Sequence, residues 1–277
     1  MIQFKEGHYE VTLPWKVPLL PLPDNYELSR KRLMGLLHRL KQHPAVMHEY
    51  DETIQNQLQQ GIVEEVSEPD NPVSGIVHYL PHQAVVRTDK ETTKVQIMYD
   101  ALAKSTGSSL NECLHVGPKF EQRIFDILLR FRTYAVVLTA DIEKVFLMVS
   151  ISEEDRDALR FLWVDDVTSD QPKICILRFT RVVFGVSSSP FVLNATLKHH
   201  LNQYSSMHPE LIERLAKSTY VICGACDAEK AYQLYRQSKE ILKKGGFNLR
   251  KFVTNISHLQ QRINDEEGAP DSNILAR

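Results

Sequence analysis

A β-prone run, Tyr134 to Thr139, delivers one carboxylate, Asp141, inside Leu138-Thr-Ala-Asp-Ile-Glu-Lys-Val-Phe146. Held between apolar residues at a strand tip, such a charge is costly unless something binds it. Hard divalent cations such as magnesium take carboxylate oxygens. Equally, Asp141 suits the N-cap of a following helix, with Lys144 one turn along. Asp141 and Glu143 share a strand face at i and i+2, so an acid–base pair is geometrically open, although no nucleophile or cofactor loop accompanies it. Two glycine turns add to the inventory. Gly185-Val-Ser-Ser-Ser-Pro-Phe191 opens a helix with small residues that let a backbone approach a ligand. Gly245-Gly-Phe-Asn-Leu-Arg-Lys251 puts cations on a strand after a glycine turn, and each of these stretches also reads as a plain cap or helix start.

The 277 residues are 43% hydrophobic and 25% charged. That is enough to bury a core in one large or two ordinary domains. A net charge of −2 carries no global basic field; cations gather locally, as in Arg30-Lys31-Arg32 and Arg250-Lys251. Four cysteines are sparse, and Cys223-Gly-Ala-Cys226 lacks the second pair a zinc site needs. The sequence shows no signal peptide, no apolar run of membrane-spanning length, no Gly-rich phosphate loop, no nucleophile elbow and no zinc-protease helix. We expect an intracellular protein of a reducing compartment, and its opening reads like a cut from a longer chain.

The positioning elements follow from periodicity. Residues 1–25 are strand-like and proline-rich, an extended arm. A helix from Asn25 puts Leu33, Leu36, Leu37 and Leu40 on one face, and a second runs from Ala45 to Gln60, ended by Gly61. Strands are expected near 61–66, 77–87 and 94–100, the last two joined by a polar tip. Lys119 to Arg132 forms an amphipathic helix with Phe120, Ile124, Ile127, Leu128 and Phe131 inward. Ser152 caps a helix, residues 158–164 and 173–179 pair as strands, and a helix follows Pro190 to about Tyr204. Another helix, 209–217, leads to a strand at 219–223, and Ala228 to Lys244 is helical. Phe247 to Val253 is the last strand, and residues after Ile256 lose periodicity and form a frayed tail. Long helices with antiparallel pairs make the class α+β.

From about residue 7 to 260 the chain resembles the reverse transcriptase region of BEL/Pao long-terminal-repeat retrotransposon polyproteins. His78-Tyr-Leu-Pro-His82, Tyr99-Asp-Ala101, Leu110-Asn111, Gly117-Pro118, Leu138 to Phe146, Arg160-Phe-Leu-Trp163, Arg178 to Phe191 and Gly246 to Lys251 carry the resemblance, in that order. It implies a right-hand polymerase with an antiparallel palm sheet and flanking helices, the thumb absent. The divisions would be arm 1–25, fingers 26–118, palm 119–255 and tail 256–277. Asp141 would be the catalytic metal ligand, the carbonyl of Ile142 would complete the coordination, and the metal would be Mg2+ or Mn2+. Phe146 would exclude a ribose 2′-hydroxyl; Gly185, Ser189 and Pro190 would support nucleotide and template–primer; Lys251 would meet the leaving phosphates. The implied partners are an RNA or DNA template–primer and deoxynucleotide triphosphates, with no membrane.

Departures cluster at one place. The family carries Tyr-x-Asp-Asp where this chain has Tyr220-Val-Ile-Cys-Gly-Ala-Cys-Asp227. Tyr220 and Val221 survive, the aspartates after them do not, and Asp227 reads as a helix cap. Trp163-Val-Asp-Asp166 copies the missing text, but it precedes the Ser-Ser-Ser-Pro turn and reads as a strand end with a polar loop. Gln96 stands where the family often has an arginine, and Val145 where an alanine is usual. Asp141 therefore lacks most of the charge that would hold a metal pair, which implies an inactive polymerase, or a non-catalytic remnant that binds nucleic acid weakly.

Overall fold

The computed structural model describes residues 2–67, 72–73, 75–86, 95–120, 123–216 and 223–268. Its first half runs β1 (Ile2–Lys5), β2 (His8–Val11), α1 (Tyr26–Lys41), α2 (Pro44–Gln59), β3 (Val63–Glu65), β4 (His82–Val86), β5 (Val95–Tyr99), α3 (Leu110–Cys113) and α4 (Ile124–Phe131). The second half adds β6 (Val136–Ile142), β7 (Val149–Ile151), α5 (Glu153–Arg156), β8 (Arg160–Val164), β9 (Ile174–Phe179), α6 (Ser189–Asn202), α7 (Pro209–Ala216), β10 (Cys223–Ala225), α8 (Ala228–Lys244), β11 (Leu249–Thr254) and α9 (Ser257–Glu267). This is a mixed fold with small antiparallel sheets, in two compact units: Met1–Gln3, Glu10–Pro118 and Val149–Val192 form one, Phe4–Tyr9, Lys119–Met148 and Leu193–Arg277 the other. None of the described helices is long and apolar enough to cross a membrane.

In the first unit α1 buries Leu33, Leu36, Leu37 and Leu40, the face its spacing predicts, and α2 adds Met47, Tyr50 and Ile54. The sheet β3-β9-β8 carries the core, every residue of β8 being buried. That includes Arg160, which Asp157 answers: its Oδ1 accepts from Arg160 Nε and from Arg178 Nη1, both at 2.9 Å. Arg178 Nε also donates to Glu64 at 2.7 Å, so the buried charges form one compensated network. Asp155 fastens the N-terminal arm, accepting from the Leu13 backbone at 2.6 Å and from the Trp15 indole at 2.7 Å. Ser152 stands at the N-cap of α5, but its side chain makes no capping bond.

His82 lies in an aromatic core with Tyr50, Tyr99, Phe161 and Trp163. Its Nε2 sits 2.8 Å from the Leu162 carbonyl. A carbonyl can only accept, so the proton is on Nε2 and Nδ1 accepts from the Tyr50 hydroxyl. Burial pushes the imidazole down to about 4. The fold therefore favours neutral His82: its contribution is complete above the unfolded value near 6.5 and is lost as pH falls toward 4. The full loss is about 3 kcal/mol. Urea denaturation at pH 7.5 and 4.5 should show it, and His82→Gln should flatten the dependence; a variant with an unchanged slope would refute the assignment.

In the second unit β6 is the middle strand of β10-β6-β11, both neighbours antiparallel. Tyr235 of α8 packs edge-on against Phe252 of β11, ring centres 4.7 Å apart. His200 follows the same pattern as His82: it faces the Ile241 carbonyl through Nε2 at 2.7 Å and Tyr9 through Nδ1 at 2.9 Å, and burial lowers its pKa. The His200 ring fills the space a Cβ on Gly245 would need, 2.8 Å away, and a Cβ on Gly246 would come within 2.8 Å of the Gly7 carbonyl. The glycine turn after α8 is thus a packing requirement as well as a helix stop.

Two expectations are corrected. The tail is ordered through α9, where Leu259 and Ile263, one turn apart, are buried. Gln260 clasps the end of β11, accepting from Thr254 N and donating to Phe252 O, each at 2.9 Å. Two apolar residues spaced i, i+4 in a polar stretch are too faint a signal to read as periodicity. The second correction is α4: only Ile127 among its described side chains is buried, while Ile124 is 68% and Leu128 52% exposed, and Phe120 and Phe131 are half-buried. Six of its eight residues are apolar, so no polar face is present to decide which side turns inward.

Candidate functional site

Asp141 is the penultimate residue of β6 and is exposed. The expectation of a charge trapped among apolar residues is therefore corrected: at the strand's emerging end water solvates the carboxylate, and burial imposes no cost on it. It caps no helix either, because β6 continues to Ile142, which pairs with Leu249, and Phe146 lies half-buried in a short 3-10 turn, Val145–Met148. Directly across from Asp141 stands Arg250. Arg250 Nη1 donates to Glu143 Oε1 at 2.8 Å, and Asn248 Nδ2 donates to Oε2 at 2.9 Å. Both oxygens of Glu143 are thus engaged, which removes it as a free acid or base.

The register of β11 breaks between Arg250 and Val253, leaving Lys251 and Phe252 opposite the single residue Ala140. This bulge, with Lys251 at φ 55, keeps Arg250 beside Asp141 and turns Lys251 to solvent while Phe252 enters the core. In a regular strand Arg250 and Phe252 would share a face. Strand alternation misses the bulge, and with it the role of Arg250.

On the other side of β6, Cys223, Gly224 and Ala225 pair with Leu138, Val137 and Val136. Gly224 lies flat under Tyr134, where a Cβ would come within 2.0 Å of the ring. Tyr220 and Val221 lie outside the described residues, as do Thr219 and Ile222. Asp227 caps α8, accepting from Lys230 N at 2.8 Å, as its position predicts. Among the described residues no group of three or more His, Cys, Asp or Glu could hold a metal ion. Residues 217–222, Lys-Ser-Thr-Tyr-Val-Ile, contain no carboxylate, imidazole or thiol. Among the described residues of the second unit, no donor set for a magnesium site comes together.

Gly185, Ser189 and Pro190 belong to the first unit, and here the sequence motifs converge. Gly185 adopts φ +98, and a Cβ there would lie 2.4 Å from the Tyr99 carbonyl. Asn111 clamps the turn: its Nδ2 donates to Gly185 O at 3.0 Å and its Oδ1 accepts from Ser187 N at 2.7 Å. Gly117, at φ +78, leaves room for the ring of Phe191. Ser189 is buried and donates to Val183 O at 2.7 Å, which makes it a brace of the turn; Pro190 is exposed in the first turn of α6. Asn111 is visible in sequence only as part of a pattern, because a side chain bridging 74 positions leaves no local trace.

Asp165 and Asp166 close the β8–β9 turn, as expected of a strand end with a polar loop. Asp165 Oδ1 accepts from Lys173 N at 2.8 Å, and bonds from Thr168 lower the Asp166 pKa.

No protein-family model matches this chain, and no curated protein does. Solved structures do. One is a selenomethionine-labelled CSH mutant of prototype foamy virus protease-reverse transcriptase, 18% identical with a TM-score of 0.53 over 75% of this chain and 24% of that one. Another is the foamy viral protease-reverse transcriptase dRH in complex with double-stranded DNA, 16% identical with a TM-score of 0.51 over 73% of this chain and 30% of that one. The chain spans less than a third of either neighbour. Together with an antiparallel sheet built around β6, these likenesses give the chain a reverse-transcriptase-like fold.

Proposed function

We propose that this chain is a reverse transcriptase domain of BEL/Pao retrotransposon type that engages a template–primer but does not extend it. In this reading residues 26–118 supply the fingers and residues 119–255 the palm. One observation carries it: Asp141 stands at the exposed end of the central strand of an antiparallel sheet, while the segment leading into the neighbouring strand β10 has no acid. The position of an RNA-directed DNA polymerase aspartate is kept, and the carboxylates that would act with it are missing. Phe146 and Lys251 would face sugar and phosphate, and the turn held by Asn111 would bear on the nucleic acid; these roles rest on the family resemblance.

Primer extension with magnesium tests the reading. The unmodified chain is expected to give no incorporation, and a variant with Asp-Asp inserted after Val221 a measurable gain. Incorporation by the unmodified chain that disappears in Asp141→Ala would overturn the inactivity.

A further inference from the structure

We infer that Arg250 is a built-in counter-charge for Asp141 and Glu143, standing where a polymerase palm would place a divalent cation. The inference rests on the functional reading above for the identity of the site, and on this unit's geometry for its chemistry.

Arg250 and Asp141 are directly opposed on antiparallel strands. Their side chains therefore leave the same face with Cβ atoms about 4.5–5.5 Å apart. The guanidinium is a planar, cationic fork of donors. One arm is used on Glu143. Its Nε–H is buried with no acceptor among the described residues. A guanidinium on the strand directly opposite Asp141 adds positive charge to that face and opposes the entry of a cation. The backbone is arranged to keep it there: Glu143 N donates to Asn248 O at 2.9 Å, fixing the register, and the Lys251–Phe252 bulge prevents Arg250 from following Phe252 inward. The Arg250 and Glu143 side chains are 40% and 34% exposed. A pair this open to water adds little stability; what it sets is charge balance.

The test uses the full chain and Mn2+ as the probe, read by the loss of the free-ion paramagnetic signal and by the melting temperature in Mn2+ against a chelator. The unmodified chain should take up no stoichiometric Mn2+ and melt at the same temperature in both. Arg250→Gln should gain Mn2+ uptake and melt higher in Mn2+ than in chelator, because an ion that binds only the folded state raises its stability. Stoichiometric uptake by the unmodified chain that vanishes in Asp141→Asn overturns the inference, as does an Arg250→Gln variant that folds and ignores Mn2+. If Arg250→Gln fails to fold in chelator, the triple variant Asp141→Asn, Glu143→Gln, Arg250→Gln decides: recovered folding supports charge compensation, and continued failure overturns it. Fluorescence anisotropy of a labelled template–primer in chelator reports separately on the functional reading. Absent binding there refutes engagement of nucleic acid and leaves the Mn2+ result standing.

Discussion

Asp157→Ala is expected to cost roughly 3–5 kcal/mol, because it removes the carboxylate that balances the charge of a buried guanidinium. Arg160 is 1% exposed and Asp157 is fully buried. One carboxylate oxygen serves Arg160 and Arg178, and the other accepts from the Val73 backbone at 3.2 Å. Burial by itself would raise the Asp157 pKa; the bonds from Arg178 and Arg160 outweigh it and hold the group below the ordinary carboxylate value. Its contribution is therefore fully present at neutral pH and fades only as pH falls through that lowered value. Against the roughly 5–15 kcal/mol typical of a folded domain, the loss threatens the first unit outright. Urea denaturation should show a lower midpoint, and Arg160→Met placed on top of Asp157→Ala should recover a large part by removing the unbalanced charge. A double variant as unstable as the single one would show that the network does not act through charge.

Gly117→Ala should cost about 2–4 kcal/mol, combining left-handed backbone strain with overpacking. At φ +78 an L side chain is disfavoured before any contact is considered, and the new Cβ would lie 2.1 Å from Cγ of Phe191. Phe191 directly follows Pro190 in the first turn of α6, so the displaced ring drags on the turn that Asn111 and Ser189 hold. Phe191→Leu combined with Gly117→Ala should return the packing share and leave the backbone share. Thermal melts of the two single variants and the double variant separate the two shares, and a harmless Gly117→Ala would mean that the ring moves freely.

Local chemistry made much of this molecule legible. The leucine face of α1, the pairing of residues 160–164 with 174–178, the helix stop at Gly245 and the Asp227 cap all depend on neighbours within a turn or a hairpin. Failures arose where the deciding partner is distant or the signal sparse. The exposure of Asp141 depends on where β6 leaves its sheet, and the use of Arg250 depends on a one-residue bulge. The outward face of α4 depends on what packs beside it, which six apolar residues in eight cannot specify. At the candidate site the aspartate and the glycine turns could be found by type and order. The clamp by Asn111 could not, because its partners lie 74 and 76 positions away.

The central place of β6 also sets a timetable. Its partners, β10 and β11, begin at Cys223 and Leu249, so both edges of Val136–Ile142 stay open until residue 223 is made and one edge until residue 249. At about 5–20 residues per second on the ribosome, that interval is on the order of 5–20 s. During it the run Val-Val-Leu-Thr-Ala is an unpaired, uncharged β-former of the kind that recruits foreign strands. A chain halted before Leu249 is therefore expected to associate through this run more readily than the full chain, which sedimentation of the two would show.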